Sequence, residues 1–317
     1  MESKRKNLIL KYQGKDEYAI KYQTVQEFLD SDYIKQIPPY QRPYSWGQSH
    51  VKRLWMDILE SLKEKKEWFL GPVFTSYRYE KSDIRELLDG QQRMTTITLI
   101  LRCLYTAEYL ITDTQWDNPS FSIDPDCEDI EAEKIKLKQE YLTKHKNVKN
   151  TIRDLLLRKK SQGLGSTPKY VSKFHTAEST KKSLNEFLEG ITKIETRTDF
   201  ENSMRGVRAE EGDEFAPTLF AINVNISWIE ESIKKILVQN DQVVKDGFKK
   251  LFEFIEALLS LTFIEIPLNK DEDVVDIFES INNRGKKLTL SDIIRFRTIK
   301  AYAGNPEQQE IIGKKWS

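Results

Sequence analysis

Between Ile84 and Leu104 the period of the apolar residues changes within a few positions. Ile84 and Leu87-Leu88 read as a short buried strand and Asp89-Gly90 as a turn. Thr95, Ile97, Leu99-Ile100-Leu101 and Leu104 then mark an apolar-rich helix. Upstream, Leu8-Ile9-Leu10 and Tyr18-Ala19-Ile20 read as strands around a Gly14-Lys15 turn, Thr24 caps a short helix through Leu29, and residues 33–37 form a strand that Pro38-Pro39 ends. A helix starting at Ser49 carries Val51, Leu54, Trp55, Ile58 and Leu62 at helical spacing and runs out in Lys63-Glu64-Lys65-Lys66. Residues 69–77 are strand-like and pair as a hairpin with the strand before Asp89, through Glu80-Lys81-Ser82-Asp83.

Beyond Tyr109 the pattern turns helical. Residues 113–129 are acidic and turn-rich, 130–160 read as one long charged helix, and 161–168 as a loop. Further helices are predicted at 177–188, 217–238 and 243–260, before residues 262–266 alternate like a strand that stops at Pro267. The expected fold is α+β (mixed α/β): a core over residues 1–110, a large all-helical subdomain over 111–260, and a return to the core over 261–317.

Composition narrows the function. The chain has 317 residues, enough for about two domains of ordinary size. Fifty Lys and Arg balance 50 Asp and Glu, so no global positive field argues for nucleic acid and any basic groove is local. Two cysteines, Cys103 and Cys127, make neither a disulfide framework nor a zinc knuckle, and they fit a reducing interior. The N-terminus lacks a signal h-region and no apolar run is long enough to span a bilayer, so a cytoplasmic protein without a membrane partner is expected.

Three segments carry candidate chemistry. In Asp89-Gly90-Gln91-Gln92-Arg93, two amides and a guanidinium stand where a strand hands over to a helix, and free N–H groups at a helix start attract anions. A surface turn would need only one capping residue. Arg93 suits bidentate pairing with phosphate, the amides orient oxygens or a water, and Asp89 is placed to reach a hydrated Mg²⁺. Ile37-Pro38-Pro39-Tyr40-Gln41-Arg42-Pro43-Tyr44-Ser45-Trp46 is a proline-stiffened loop that presents Gln41 and Arg42 rigidly. Tyr40, Tyr44 and Trp46 offer faces for stacking on a base or packing on the core, and core packing is the expectation for the last two. In residues 276–288, Gly285 suits a helix C-cap and Thr289 with Asp292 a capping box, whereas Asn282-Asn283-Arg284 and Lys286-Lys287 are suited to phosphate. There is no P-loop, and His50, His145 and His175 stand too far apart for a zinc site or a His-based nuclease.

On these motifs the chain resembles the N-terminal domain family of GmrSD-type restriction endonucleases, modification-dependent systems directed at foreign DNA. Residues 37–46, Phe69-Leu70-Gly71, 89–93 and 278–288 follow the family's pattern in order and spacing. The resemblance implies a ParB/sulfiredoxin-like core that binds and hydrolyses a nucleoside triphosphate, GTP or ATP, with Mg²⁺. Asp89, Gln91, Gln92 and Arg93 would be catalytic, with Gly90, Thr95, Thr96, Tyr40, Gln41 and Arg42 lining the nucleotide site and Asp89 toward the metal. Tyr40, Gln41, Arg42, Asn283, Arg284 and Lys286 would face DNA. The sulfiredoxin branch has a reactive cysteine where this chain has Gln91, which excludes cysteine redox repair. The family often joins this domain to a His-Asn-His nuclease. No such motif occurs here, so an HNH-type domain or subunit is the expected partner and the chain reads as a fragment or a lone subunit. Two other readings stay open: a non-enzymatic module recognising a modified base or a sulfur-bearing backbone, and a ParB-like nucleotide-gated clamp that forms a homodimer on DNA.

Overall fold

The computed structural model describes residues 20–38, 41–77, 83–117, 129–160, 169–175, 184–185, 187–205, 216–244 and 246–268. The chain runs through β1 (Lys21–Thr24), α1 (Val25–Asp30), β2 (Ile34–Gln36), α2 (Gln48–Glu64), β3 (Phe69–Tyr77), β4 (Ile84–Asp89) and α3 (Gln91–Tyr105). Then come α4 (Asp113–Asp117), α5 (Ile130–Leu156), β5 (Leu157–Lys160), β6 (Lys169–Ser172), β7 (Phe174–His175), α6 (Arg197–Arg205) and α7 (Ala216–Leu237). The hairpin of β8 (Val238–Gln239) and β9 (Gln242–Val243), α8 (Gly247–Ser260) and β10 (Thr262–Leu268) complete the described residues. The main sheet has the order β1-β10-β3-β4-β2-β7. The β1–β10 and β3–β4 pairs are antiparallel and the β10–β3, β2–β4 and β2–β7 pairs parallel, so the fold is α+β with a mixed sheet.

Local chemistry explains the entry into this sheet. Thr24 Oγ1 accepts the Glu27 N–H (3.1 Å) while Glu27 Oε2 accepts the Thr24 N–H (2.7 Å), a reciprocal cap that starts α1 where β1 ends. β10 lies inside the sheet, and its Glu265 pins four strands together. That buried carboxylate accepts from Arg85 of β4 (2.7 Å), Thr75 of β3 (2.9 Å) and Gln23 of β1 (2.7 Å). Desolvation of both charges offsets much of the Arg85–Glu265 attraction, so the pin adds little net stability, but deleting either partner would strand a buried charge. Beside it, burial, then the charges of Lys173 and Arg85, pull the Lys35 ammonium down to about 7. β10 also runs on through Pro267 rather than stopping before it, because its pairing with β1 has already ended at Glu265 and the missing N–H breaks none of those bonds.

Successive residues of β4 face opposite sides: Leu87 joins the large helical core and Leu88 packs with Phe74 and Leu268 on the other face. On the helical side Trp55 of α2 meets Phe254 of α8 (4.2 Å between centroids) and Trp228 of α7 (5.7 Å). Through the middle runs α3, buried on every side from Met94 to Tyr105. Two of its threonine hydroxyls donate to its own carbonyls, Thr96 Oγ1 to Gln92 O (2.9 Å) and Thr98 Oγ1 to Thr95 O (2.8 Å).

The middle of the chain is mostly, but not wholly, helical. α5 stops at Leu156 instead of continuing to 160, since Leu157–Lys160 pairs with Lys169–Ser172 across a hairpin. β7 then adds to the edge of the main sheet beside β2. Between α7 and α8, Asn240 and Asp241 hold positive φ (49° and 60°), the conformation of a two-residue hairpin turn, which delays α8 to Gly247. The strands predicted before Ile20, the helix predicted at 177–188 in most of its length, and everything after Leu268 lie outside the described residues.

Candidate functional site

The site forms where β4 passes into α3. Gly90 is the N-cap of α3 at φ +84°, and a Cβ there would come within 3.0 Å of Val73 Cγ2, so both conformation and space require glycine. No side chain caps this helix start. The first helical bond runs from Met94 N to Gly90 O (3.0 Å), which leaves the N–H groups of Gln91, Gln92 and Arg93 without an acceptor among the described residues. A lost cap costs about 1 kcal/mol, while each of the fully buried Ile97, Leu99, Ile100, Leu101 and Leu104 contributes on the order of 2 kcal/mol. Core packing therefore holds α3 in place and keeps its positive end available.

The proline-rich loop docks on this turn. Gln41 Nε2 donates to Leu88 O (2.8 Å), and Gln91 Nε2 donates to Gln41 Oε1 (3.1 Å) across a separation of 50 residues. Gln92 grips the same loop with both ends of its amide, accepting from Ser45 N (2.8 Å) and donating to Pro43 O (3.1 Å). The Tyr44 hydroxyl meets Thr96 Oγ1 at 2.9 Å, and Asn225 Nδ2 of α7 donates to Tyr44 Oη (3.0 Å) and to Trp46 O (2.6 Å). Tyr44 is buried, as expected of a core residue, and burial pushes its phenol up to about 12. Trp46 is half-buried and stacks on His50.

Around these interlocked neutral groups stand charges with spare capacity. Arg42, Asp89 and Arg93 are half-buried. Arg42 and Asp89 make no hydrogen bond or ion pair among the described residues, and Arg93 makes one long contact, Nη1 to Pro72 O at 3.5 Å. The Arg93 guanidinium lies against Gly71, whose φ of +98° admits a side chain only under strain. Burial lowers its pKa and the Asp89 carboxylate opposes that shift. The Arg93 guanidinium beside a free helix start is suited to an anion. Among the described residues no three His, Cys, Asp or Glu side chains cluster as a metal cage. Asp89 alone fits Mg²⁺ in the way that ion is usually held, by one carboxylate with the remaining positions filled by water and ligand oxygens.

The structure thus brings Gln41 onto the turn that carries Asp89, Gly90, Gln91, Gln92 and Arg93, leaves Arg42 next to Gln41 in the docked loop, and buries Thr95 and Thr96 just inside α3. Tyr40, Asn283, Arg284 and Lys286 lie outside the described residues. Gln92 and Thr96 are committed to holding the loop. Asn225 is the residue that sequence reasoning passed over. Its signal was a polar side chain in step with the apolar stripe of Ile222, Ile226, Ile229 and Ile233.

Fold and site define an α+β protein in which an arginine-bearing turn opens a buried central helix and a second polar loop is clasped to it. A family model described as the N-terminal domain of the GmrSD restriction endonuclease matches residues 25–298, and the chain belongs to that family. Membership ties it to restriction. No curated protein matches the sequence. Among the described residues no helix is long and apolar enough to cross a membrane.

Proposed function

We propose that this chain binds and hydrolyses a nucleoside triphosphate at the start of α3 and uses it to sense foreign DNA and license a nuclease of the HNH type, on another domain or subunit. The observation that carries the proposal is the docking of Gln41 on the uncapped start of α3, where Asp89 and Arg93 flank Gly90, Gln91 and Gln92. Phosphoryl transfer asks for positioned positive charge more than for covalent chemistry, and Arg93 with the α3 N–H groups supplies it. Bound through Asp89, Mg²⁺ would neutralise phosphate charge. GTP and ATP suit the phosphate site equally. Arg42, with Tyr40 and the Asn283, Arg284 and Lys286 segment, is assigned to DNA. Tyr44 and Asn225 join the loop to α7, so a shift of the loop on nucleotide binding is carried into the helical part of the chain.

Nucleotide titration with phosphate release as the readout tests this. Arg93→Ala abolishes turnover while folding stability changes by about 1 kcal/mol or less, since the side chain makes a single long contact. Unchanged turnover in that variant refutes the assignment.

A further inference from the structure

The amides of Gln41 and Gln91 cannot be turned over. The Leu88 carbonyl can only accept, so Gln41 must present Nε2 to it and Oε1 to Gln91, and Gln91 must answer with Nε2. Reversing either amide sets acceptor against acceptor or donor against donor. The relay thereby forces Gln91 Oε1 into one position. The Gln91 side chain is 5% exposed, and that oxygen is buried with no hydrogen-bond donor among the described residues. An orphaned buried acceptor is costly to keep, and it stands on the first residue of a helix whose free N–H groups and neighbouring Arg93 attract an anion.

A phosphate oxygen cannot be the partner of Gln91 Oε1, because two acceptors repel. The partner is a donor small enough to sit beside the phosphate. Resting on the nucleotide reading above, we infer that Gln91 Oε1 accepts a hydrogen bond from the water that attacks the terminal phosphorus, and that Gln41 is a positioning residue acting through Gln91. In this step the water oxygen bonds to phosphorus and the bridging P–O bond breaks, its electron pair leaving on the diphosphate. The water's proton passes to an oxygen of the released phosphate and so to solvent. Gln91 is not a base. Its contribution is to hold the water with a lone pair directed at phosphorus.

The test uses the full chain and two near-isosteric variants, Gln91→Met and Gln41→Met. Gln91→Met lowers kcat about 100-fold while the Kd for a nonhydrolysable triphosphate with Mg²⁺ stays within about twofold, and Gln41→Met lowers kcat about tenfold and also weakens that binding, because its loop loses the Leu88 anchor. The double variant is no slower than Gln91→Met alone, because Gln41 acts only through its neighbour. A Gln91→Met enzyme with wild-type kcat, or a double variant whose losses multiply, overturns the inference. Recovery of kcat at raised Mg²⁺ also overturns it, by making the oxygen a cation ligand. A wild-type chain that neither binds the analogue nor releases phosphate overturns the nucleotide reading itself, and this inference with it. One measurement needs no substitution. The side-chain amide ¹⁵N resonances of Gln41 and Gln91 shift when nucleotide and a metal-fluoride mimic of the transferring phosphoryl group are added to the wild-type protein, and unmoved resonances overturn the proposal.

Discussion

At its N-terminal end α3 is clasped by neutral amides, with the charges of Asp89 and Arg93 half-buried beside them; at its C-terminal end the charges themselves are inside. Arg102 is fully buried, and its guanidinium donates to Phe187 O (3.3 Å), Thr106 Oγ1 (3.1 Å) and Ser203 Oγ (3.1 Å) while lying over the Phe187 ring. Burial pulls it down to about 10, which leaves it a cation at neutral pH. Just past the end of α3, Glu108 pairs with His145 and Lys149 of α5. Burial alone would raise its pKa, but the hydrogen bonds from His145 and Lys149, with their charges, hold it at about 2. The contrast separates two uses of polarity. Arg102 and Glu108 spend their charge on partners inside the chain, whereas Arg93 keeps most of its donors free.

Arginine truncation at the two ends breaks that contrast most sharply. Arg102→Ala removes a fully buried side chain and its three acceptors' donor, and costs about 3–5 kcal/mol by urea unfolding, within the range of large-to-small core changes. Arg93→Ala, at the other end, leaves the unfolding midpoint nearly unchanged and removes activity. Equal stability losses in the two variants would mean that Arg93 is as structural as Arg102.

A smaller effect separates the two glutamines. Gln92→Ala deprives the Ser45 N–H and the Pro43 carbonyl of their partners, and costs about 2 kcal/mol of stability. The loop then loosens, so the affinity for nucleotide falls as well. Gln91 substitutions instead affect turnover at nearly constant affinity. Thermal melts and analogue binding measured on both variants distinguish a residue that builds the site from one that acts in it.

Much of this was readable in the chain, and the boundary is physical. Periodicity marked α2 and α3, and Thr24 with Glu27 announced a helix start, because these depend on neighbours three or four residues away. The place of β10 beside β3, the hairpin that cuts α5 short, and the edge strand Phe174–His175 depend on partners far along the chain, which no local pattern names. At the site, residue types pointed to phosphate, and the family pattern pointed to the two motifs belonging together. Which amide holds the loop and which keeps a free acceptor depends on hydrogen-bond partners. Asp89-Gly90-Gln91-Gln92-Arg93 reads the same either way until Ser45, Pro43 and Leu88 are in place.

The smallest effect sharpens the comparison at the buried-charge end. Glu230 of α7 is half-buried, its Oε1 is out of solvent with no hydrogen-bond partner among the described residues, and no ion pair joins it to Arg102. Burial raises its carboxyl to about 7, opposed only by the attraction of Arg102. A carboxyl whose folded pKa lies above its unfolded value of 4.5 binds its proton more tightly in the native state, so stability is full below about 4.5 and declines as pH rises through about 7. Discounted for its partial exposure, the loss is about 1–2 kcal/mol. Glu230→Gln keeps the shape and cannot ionise, so it matches wild type near pH 4.5 and exceeds it by about 1–2 kcal/mol near pH 8 in urea unfolding. A variant that gains equally at both pH values would show that packing rather than charge sets the difference.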